Sequence, residues 1–360
     1  MPHGSRTAYR RPAPAEREHL IEADTLDGLE QFGADELLDR LGRAVRPASS
    51  QRPETLRFTY AGELRPLLRL RSIVAAYLVL AFGVPRPKAL LGHQHFERLA
   101  CAIEQIRALH PPGAFETLRL SAAGEDSAVL TRLKEELAQR TGLTAASDEG
   151  DLLLRLRRAP DAGGWEVLAR LSPRPLAARA WRVCNMPGAP NATLAHAMAR
   201  LAEPSSDDTL LNLCCGSGTL LVERLALGAA RTAAGCDIDP AALECARRNL
   251  GAAGLERRVR LEPWDATELP IPDAAVSVIL ADLPFGQLVG SHRANEVLYP
   301  RLFAEAARVA APGARMVLLT HEVRLLERTA ADYDEAWELL EVVRVRSGGM
   351  TPRIFVFRRT

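Results

Sequence analysis

The chain has 360 residues, room for two or three domains with a sizeable core. Its 46 basic and 45 acidic side chains leave a net charge of +1, so no global basic field announces a polyanionic partner. Six cysteines, at 101, 184, 214, 215, 236 and 245, show no C-x-x-C spacing, which argues against a zinc site or a disulfide framework and predicts reduced thiols in the cytoplasm.

Residues 1–18 are rich in Arg, Pro and Ala without an apolar core segment, and they read as a frayed terminus rather than a signal peptide. Glu18–Ala23 reads as a strand, Thr25–Leu41 as a helix and Thr55–Thr59 as a strand. Leu64–Phe82 reads as mostly helical. Within it begins the longest apolar run, Ile73 to Val84, which is far short of the roughly 20 residues that cross a bilayer and so predicts a core helix. Gln94–Leu109 is a further helix, ended by Pro111-Pro112. This order predicts a compact α+β unit with a small sheet over residues 19–110.

After the Pro-Pro-Gly break the pattern is strand Thr117–Ser121, helix Ser127–Thr141 stopped by Gly142, strands Asp151–Leu156 and Glu166–Leu171, and an extended Ala178–Val183. Arg155, Arg157 and Arg158 would form a positive strand end for phosphate contact over residues 111–175, although a solvated strand end accounts for them equally. The proline-rich stretch 176–192 reads as a semi-rigid linker to a last domain, 193–360. His196, alone on the helix Thr193–Leu201, reads as structural.

Leu210–Leu213 is an apolar strand that ends in Cys214-Cys215-Gly216-Ser217-Gly218-Thr219 and opens a helix. Glycines there allow close approach of backbone to a ligand. A second strand ends at Cys236-Asp237-Ile238, where doubly wound folds grip ribose hydroxyls with an acid. Asp265 and Ala266, after the strand Val259–Glu262, would face an adenine edge, with Trp264 beside them. The turn lacks the third glycine of G-x-G-x-x-G, which disfavours a dinucleotide dehydrogenase.

Strand Val276–Ala281 ends in Asp282-Leu283-Pro284-Phe285-Gly286. An exocyclic amine is a poor nucleophile because its lone pair is delocalised into the ring. Asp282 and the Leu283 carbonyl offer acceptors for its two hydrogens, Pro284 lacks an N–H and has a fixed φ, and Phe285 offers a stacking face. The strands Glu341–Arg346 and Ile354–Arg358 read as a closing hairpin.

These residues resemble the amine-methylation motif [DN]-P-P-[FY] of the amino-methyltransferases, with Leu283 in place of the first proline. Leu211–Thr219, Asp282–Gly286, Gly290–Arg293 with Leu298-Tyr299-Pro300, and Gly348–Arg353 together resemble the THUMP-containing tRNA guanine-N2 methyltransferases. Residues 111–175, carried by Phe115–Ser121 and Asp151–Leu156, look like the THUMP domain itself. The resemblance implies an α/β chain whose carboxyl-terminal Rossmann-like class I methyltransferase domain has a seven-stranded sheet with an antiparallel last strand, preceded by a ferredoxin-like plus THUMP-like region. It implies S-adenosyl-L-methionine as cofactor and tRNA as partner; no metal, no membrane and a monomer in the cytoplasm are the further expectations. Cofactor contacts would come from Asn191, Thr193, Asn212, Cys214, Gly216, Ser217, Gly218, Thr219, Asp237, Ile238, Asp265, Ala266 and Asp282, and RNA contacts from the three strand-end arginines with Arg293 and Arg353. Asn212 departs from the aspartate of many relatives. Methylation of rRNA guanine, DNA adenine or protein glutamine stays open, as does an RNA-binding protein with a silent pocket, although no target-recognition insert of a DNA enzyme is evident after Asp265.

Overall fold

The computed structural model describes residues 18–50, 52–160, 163–284, 291–346 and 348–360. The first half of the chain contains β1 (Glu18–Asp24), α1 (Glu30–Leu41), β2 (Val45–Ala48), β3 (Thr55–Ala61), β4 (Ala75–Phe82), α2 (His93–Arg107), β5 (Thr117–Ala122), α3 (Ala128–Thr141), β6 (Thr144–Ala146), β7 (Leu152–Arg158) and β8 (Trp165–Arg170). All eight strands join one mixed sheet in the order β2-β3-β1-β4-β8-β7-β5-β6. The antiparallel pair β4 and β8, with Tyr77 opposite Arg170 and Phe82 opposite Trp165, joins the stretches before and after the Pro-Pro-Gly break.

β4 corrects the sequence expectation. No helix forms over Leu64–Phe82; Arg65–Arg69 is a short 3-10 turn and Ala75–Phe82 is a central strand. Its even residues, Ala76, Leu78, Leu80 and Phe82, enter the large core with Leu99 and Ile103 of α2 and Leu133 and Leu137 of α3. Its odd residues Ala75, Tyr77 and Val79 pack with Leu168 in a smaller cluster. A strand apolar on both faces loses its period of two and cannot be told from a buried helix by pattern. Ala178–Val183 is likewise not a strand but a series of turns.

The second half contains α4 (Ala192–Leu201), β9 (Thr209–Leu213), α5 (Thr219–Leu225), β10 (Thr232–Cys236), α6 (Pro240–Ala252), β11 (Arg260–Glu262), β12 (Val276–Asp282), α7 (His292–Val309), β13 (Ala310–Thr320), α8 (Val323–Ala331), β14 (Trp337–Arg344) and β15 (Arg353–Arg359). The seven-stranded sheet has the order β11-β10-β9-β12-β13-β15-β14. β9 to β13 pair in parallel with one another, and β15 runs antiparallel to both β13 and β14. The order of strands reverses between β9 and β12, which opens a crevice at their carboxyl ends.

The halves meet through packing and charge. Leu29, just before α1, is buried with Leu194 of α4 and Val345. Glu223 of α5 receives Arg71 from the first half, Arg179 from the connecting segment and His196 from α4. His196 is thereby structural. Among the described residues no helix is long and apolar enough to cross a membrane.

Candidate active site

The crevice is shaped by four loops that follow four parallel strands. After β9 the chain turns sharply, with Cys214 at φ 47°, a backbone region that residues bearing a Cβ seldom enter. Gly218 (φ 74°) then sets α5 against α6, where a Cβ would stand 3.2 Å from that of Ala246. After β10, Asp237 bridges two loops: its Oδ2 accepts the Gly216 N–H at 2.9 Å and its Oδ1 the Asp239 N–H at 3.0 Å. After β11, Asp265 accepts the backbone N–H and hydroxyl of Thr267, both at 2.8 Å, which hold its carboxyl below the usual range.

Between these loops lies a cavity of about 340 Å³. The first loop contributes Cys214, Gly216, Ser217 and Thr219; the second Asp237 and Ile238; the third Asp265 and Ala266; and the end of β12 contributes Asp282, Leu283 and Pro284. Other expected residues sit behind it. Asn191 caps α4 by accepting the Thr193 N–H at 2.8 Å, and Thr193 is buried. Asn212 lies inside the sheet and donates to the carbonyls of Leu213 and Leu280, tying β9 to β12, while its Oδ1 has no partner among the described residues. Phe285 and Gly286 lie outside the described residues.

Sequence reading missed one wall. Met186–Pro190, taken for a spacer, lines the cavity. Arg182 holds this segment by donating to the Pro190 carbonyl (2.7 Å) and the Thr219 hydroxyl (2.8 Å). Asn249 exchanges hydrogen bonds with the backbone of Cys184 and also donates to the Ser217 carbonyl. Cys184 and Cys245 form a disulfide, which corrects the expectation of six free thiols. The two are 61 residues apart, so no local spacing could signal the pair.

Charge in and around the cavity is uneven. Asp282 is half-buried with no ion pair among the described residues, and loss of water pushes its carboxyl up to about 8. Burial also raises the neighbouring Cys236 thiol to about 12, so it stays neutral. The strand-end arginines are engaged elsewhere. Arg155 pairs with Asp24 at 2.9 Å and covers the Tyr77 ring, and Arg157 binds Glu22 and Glu166. Arg158 lies over Trp165, and Arg353 pairs with Glu327 at 2.8 Å. Arg293, in the first turn of α7, is exposed.

The cavity fits S-adenosylmethionine. Its size is that of a small-ligand site, Gly216 leaves open space where a side chain would stand, and an acid closes each of the second and third loops. Residues 179–353 match the model of the UPF0020 family, described as an RMKL-like methyltransferase domain. The tRNA (guanine(6)-N(2))-methyltransferase THUMP3 of Mus musculus is 29% identical over 180 residues, covering 47% of this chain and 36% of that protein. The tRNA (guanine(6)-N2)-methyltransferase of Thermus thermophilus is 31% identical over 191 residues, covering 53% of this chain and 56% of that protein. The chain thus matches between about a third and just over half the length of these relatives. The crystal structure of TrmN from Thermus thermophilus superposes with a TM-score of 0.74 at 24% identity, over 96% of this chain and all of that one, a likeness of fold. The match to the RMKL-like methyltransferase domain thus covers residues 179–353, just under half of the chain and the part that holds the S-adenosylmethionine cavity, and the relatives of the chain include guanine-N2 methyltransferases.

Proposed function

We propose that the chain transfers a methyl group from S-adenosylmethionine to the N2 amine of a guanosine in RNA, with tRNA as the substrate. One observation carries this reading: Asp282, an acid with no ion pair among the described residues, ends a central strand and opens onto the same cavity as Asp237. The names of the relatives support guanine N2 as the acceptor, in tRNA for those described above and in U6 snRNA for others.

When bound, the cofactor supplies an electrophilic methyl on a sulfonium. Asp237 would accept the ribose hydroxyls, Asp265, Ala266 and Ile238 would border the nucleoside, and the turn from Cys214 to Thr219 would hold the methionine portion. Asn212 ties the strand that leads into that turn to β12, and Asn191 with Thr193 begins the helix α4. Asp282 and the Leu283 carbonyl accept the two amino hydrogens of a guanine flipped out of its stack, which draws the lone pair out of conjugation and aims it at the methyl. Phe285 provides the stacking face. Asp282 needs little basicity, since the nitrogen sheds its proton only as positive charge develops on it.

Residues 19–110 and 111–175 hold the RNA, and 193–360 carry out the transfer. Arg158 and Arg293, which make no ion pair among the described residues, are assigned to phosphate contact. The test is incubation with isotopically labelled S-adenosylmethionine and unmodified tRNA, followed by nucleoside mass spectrometry. Label in N2-methylguanosine is expected; label only in N6-methyladenosine, or in no nucleoside, overturns the reading.

A further inference from the structure

Two side chains of α7 converge on one oxygen. The Pro284 carbonyl accepts from Asn295 Nδ2 at 2.8 Å and from Tyr299 Oη at 2.9 Å. Four residues apart, the donors share one face of the helix, and they are 1% and 0% exposed. Tyr299 Oη also lies 2.8 Å from Thr320 Oγ1, which accepts the Glu322 N–H at 2.9 Å. Valence fixes the direction of this chain. A carbonyl only accepts, so Tyr299 donates to Pro284, Thr320 donates to Tyr299, and the Glu322 amide donates to Thr320.

The geometric consequence falls on the residue before. The Leu283 carbonyl lies in the peptide plane joining Leu283 to Pro284. That plane is separated from the next, which bears the Pro284 carbonyl, by the φ and ψ of Pro284 alone. The ring fixes φ and the two donors from α7 hold the second plane, so on this side only rotation about ψ of Pro284 is left to the Leu283 carbonyl. From the other side, the Leu283 N–H is held by the Leu319 carbonyl at 2.9 Å.

We propose that Asn295 and Tyr299 are positioning residues that aim the Leu283 carbonyl at the acceptor amine. The catalytic part of this proposal rests on the methyl-transfer reading above; the conformational part does not. If the donors only satisfied a half-buried carbonyl, their loss would lower stability without changing the rate per folded molecule.

The test uses the full chain with Tyr299→Phe, Asn295→Leu and both together. Three quantities are read: amide exchange at Leu283, affinity for S-adenosylhomocysteine, and the single-turnover rate of transfer to tRNA. In the double variant Leu283 exchange should quicken about tenfold or more, and transfer should fall on the order of 10²-fold, the scale of a small misplacement of a reacting group. Affinity for S-adenosylhomocysteine should stay within about twofold, since neither side chain lines the cavity. Thr320→Ala leaves the bond from Tyr299 to Pro284 intact and should slow transfer less than about threefold. Tyr299→Phe keeps the buried ring, so it gives a reading even where the double variant does not fold. Faster exchange with an unchanged transfer rate overturns the positioning role, and unchanged exchange overturns the clamp itself. If the wild-type chain methylates no RNA amine, the functional reading fails and the exchange measurement still decides whether the clamp exists.

Discussion

Two carboxylates in the second half of the chain are withdrawn from water, and their surroundings are opposite. Glu223 is fully buried in α5, where burial alone would raise its pKa, but His196, Arg179 and Arg71 overcome that and hold it at about 2. Asp282 meets no such cations among the described residues, and burial pushes it up to about 8. The sheet of the first half follows the Glu223 pattern: Glu166, 2% exposed, is enclosed by Arg57 and Arg157 and its pKa is lowered despite burial. A buried charge with its partners in place joins parts of a fold; one left without them faces a ligand.

The contrast breaks most easily at Asp282. Asp282→Ala should reduce single-turnover methyl transfer by roughly 10²–10⁴-fold, the range of a lost acid–base or acceptor group, while cofactor affinity persists. A rate within about threefold of wild type would remove the distinction between the two acids. Next in size is Glu223→Gln, which leaves Arg179, with only 6% of its side chain exposed, without its carboxylate. A loss of about 3–5 kcal/mol is expected in urea unfolding, and a loss below about 1 kcal/mol would demote the cluster to a surface-like pair. For the same reason a fragment starting at residue 181, lacking Arg71 and Arg179, should be far less stable than the whole chain.

Asp237→Ala should come third. It removes the acceptor for the Gly216 and Asp239 amides as well as for the ribose, and should weaken S-adenosylmethionine binding by roughly 1.5–3 kcal/mol in calorimetry. Unchanged affinity would mean that the cofactor lies elsewhere. The smallest effects are the pH slopes, and their signs differ. Glu223 is depressed, so its contribution is present above pH 4.5 and lost as pH falls towards 2. Asp282 is raised, so the unfolded chain gives up its proton near 3.8 while the folded chain keeps it to about 8, and stability declines as pH rises through that window. Asp282→Asn should therefore gain roughly 2–4 °C in Tm over wild type between pH 5 and pH 8, with parallel curves as the contrary result.

The second half was largely legible because four of its parallel strands, β9 to β12, lead into residues of the cavity. The acid after β10 and the Asp282-Leu283-Pro284 stretch after β12 mark strand ends regardless of how apolar the strands are. β4 has no such marker, and its run of apolar residues, divided between two clusters, was indistinguishable from a helix. What the sequence hid at the site depends on distant pairs: Cys184 with Cys245, Arg182 with Thr219, and Asn295 and Tyr299 with Pro284. Residue spacing carries no trace of these, since the partners belong to different elements and meet only after the sheet has formed. The surroundings of the β7 arginines were hidden in the same way: Arg155 and Arg157 meet Asp24, Glu22 and Glu166 from other strands, while Arg158 lies over Trp165.

The state of Asp282 itself can be measured. The side-chain carboxyl carbon, assigned by its disappearance in Asp282→Asn, can be followed by carbon-13 NMR across pH 3 to 10 in the ligand-free protein. A titration midpoint near 8 is expected for an acid kept from water without a cation, whereas a midpoint below about 5, in the ordinary carboxylate range, would contradict the claim that this site holds its acid unpaired.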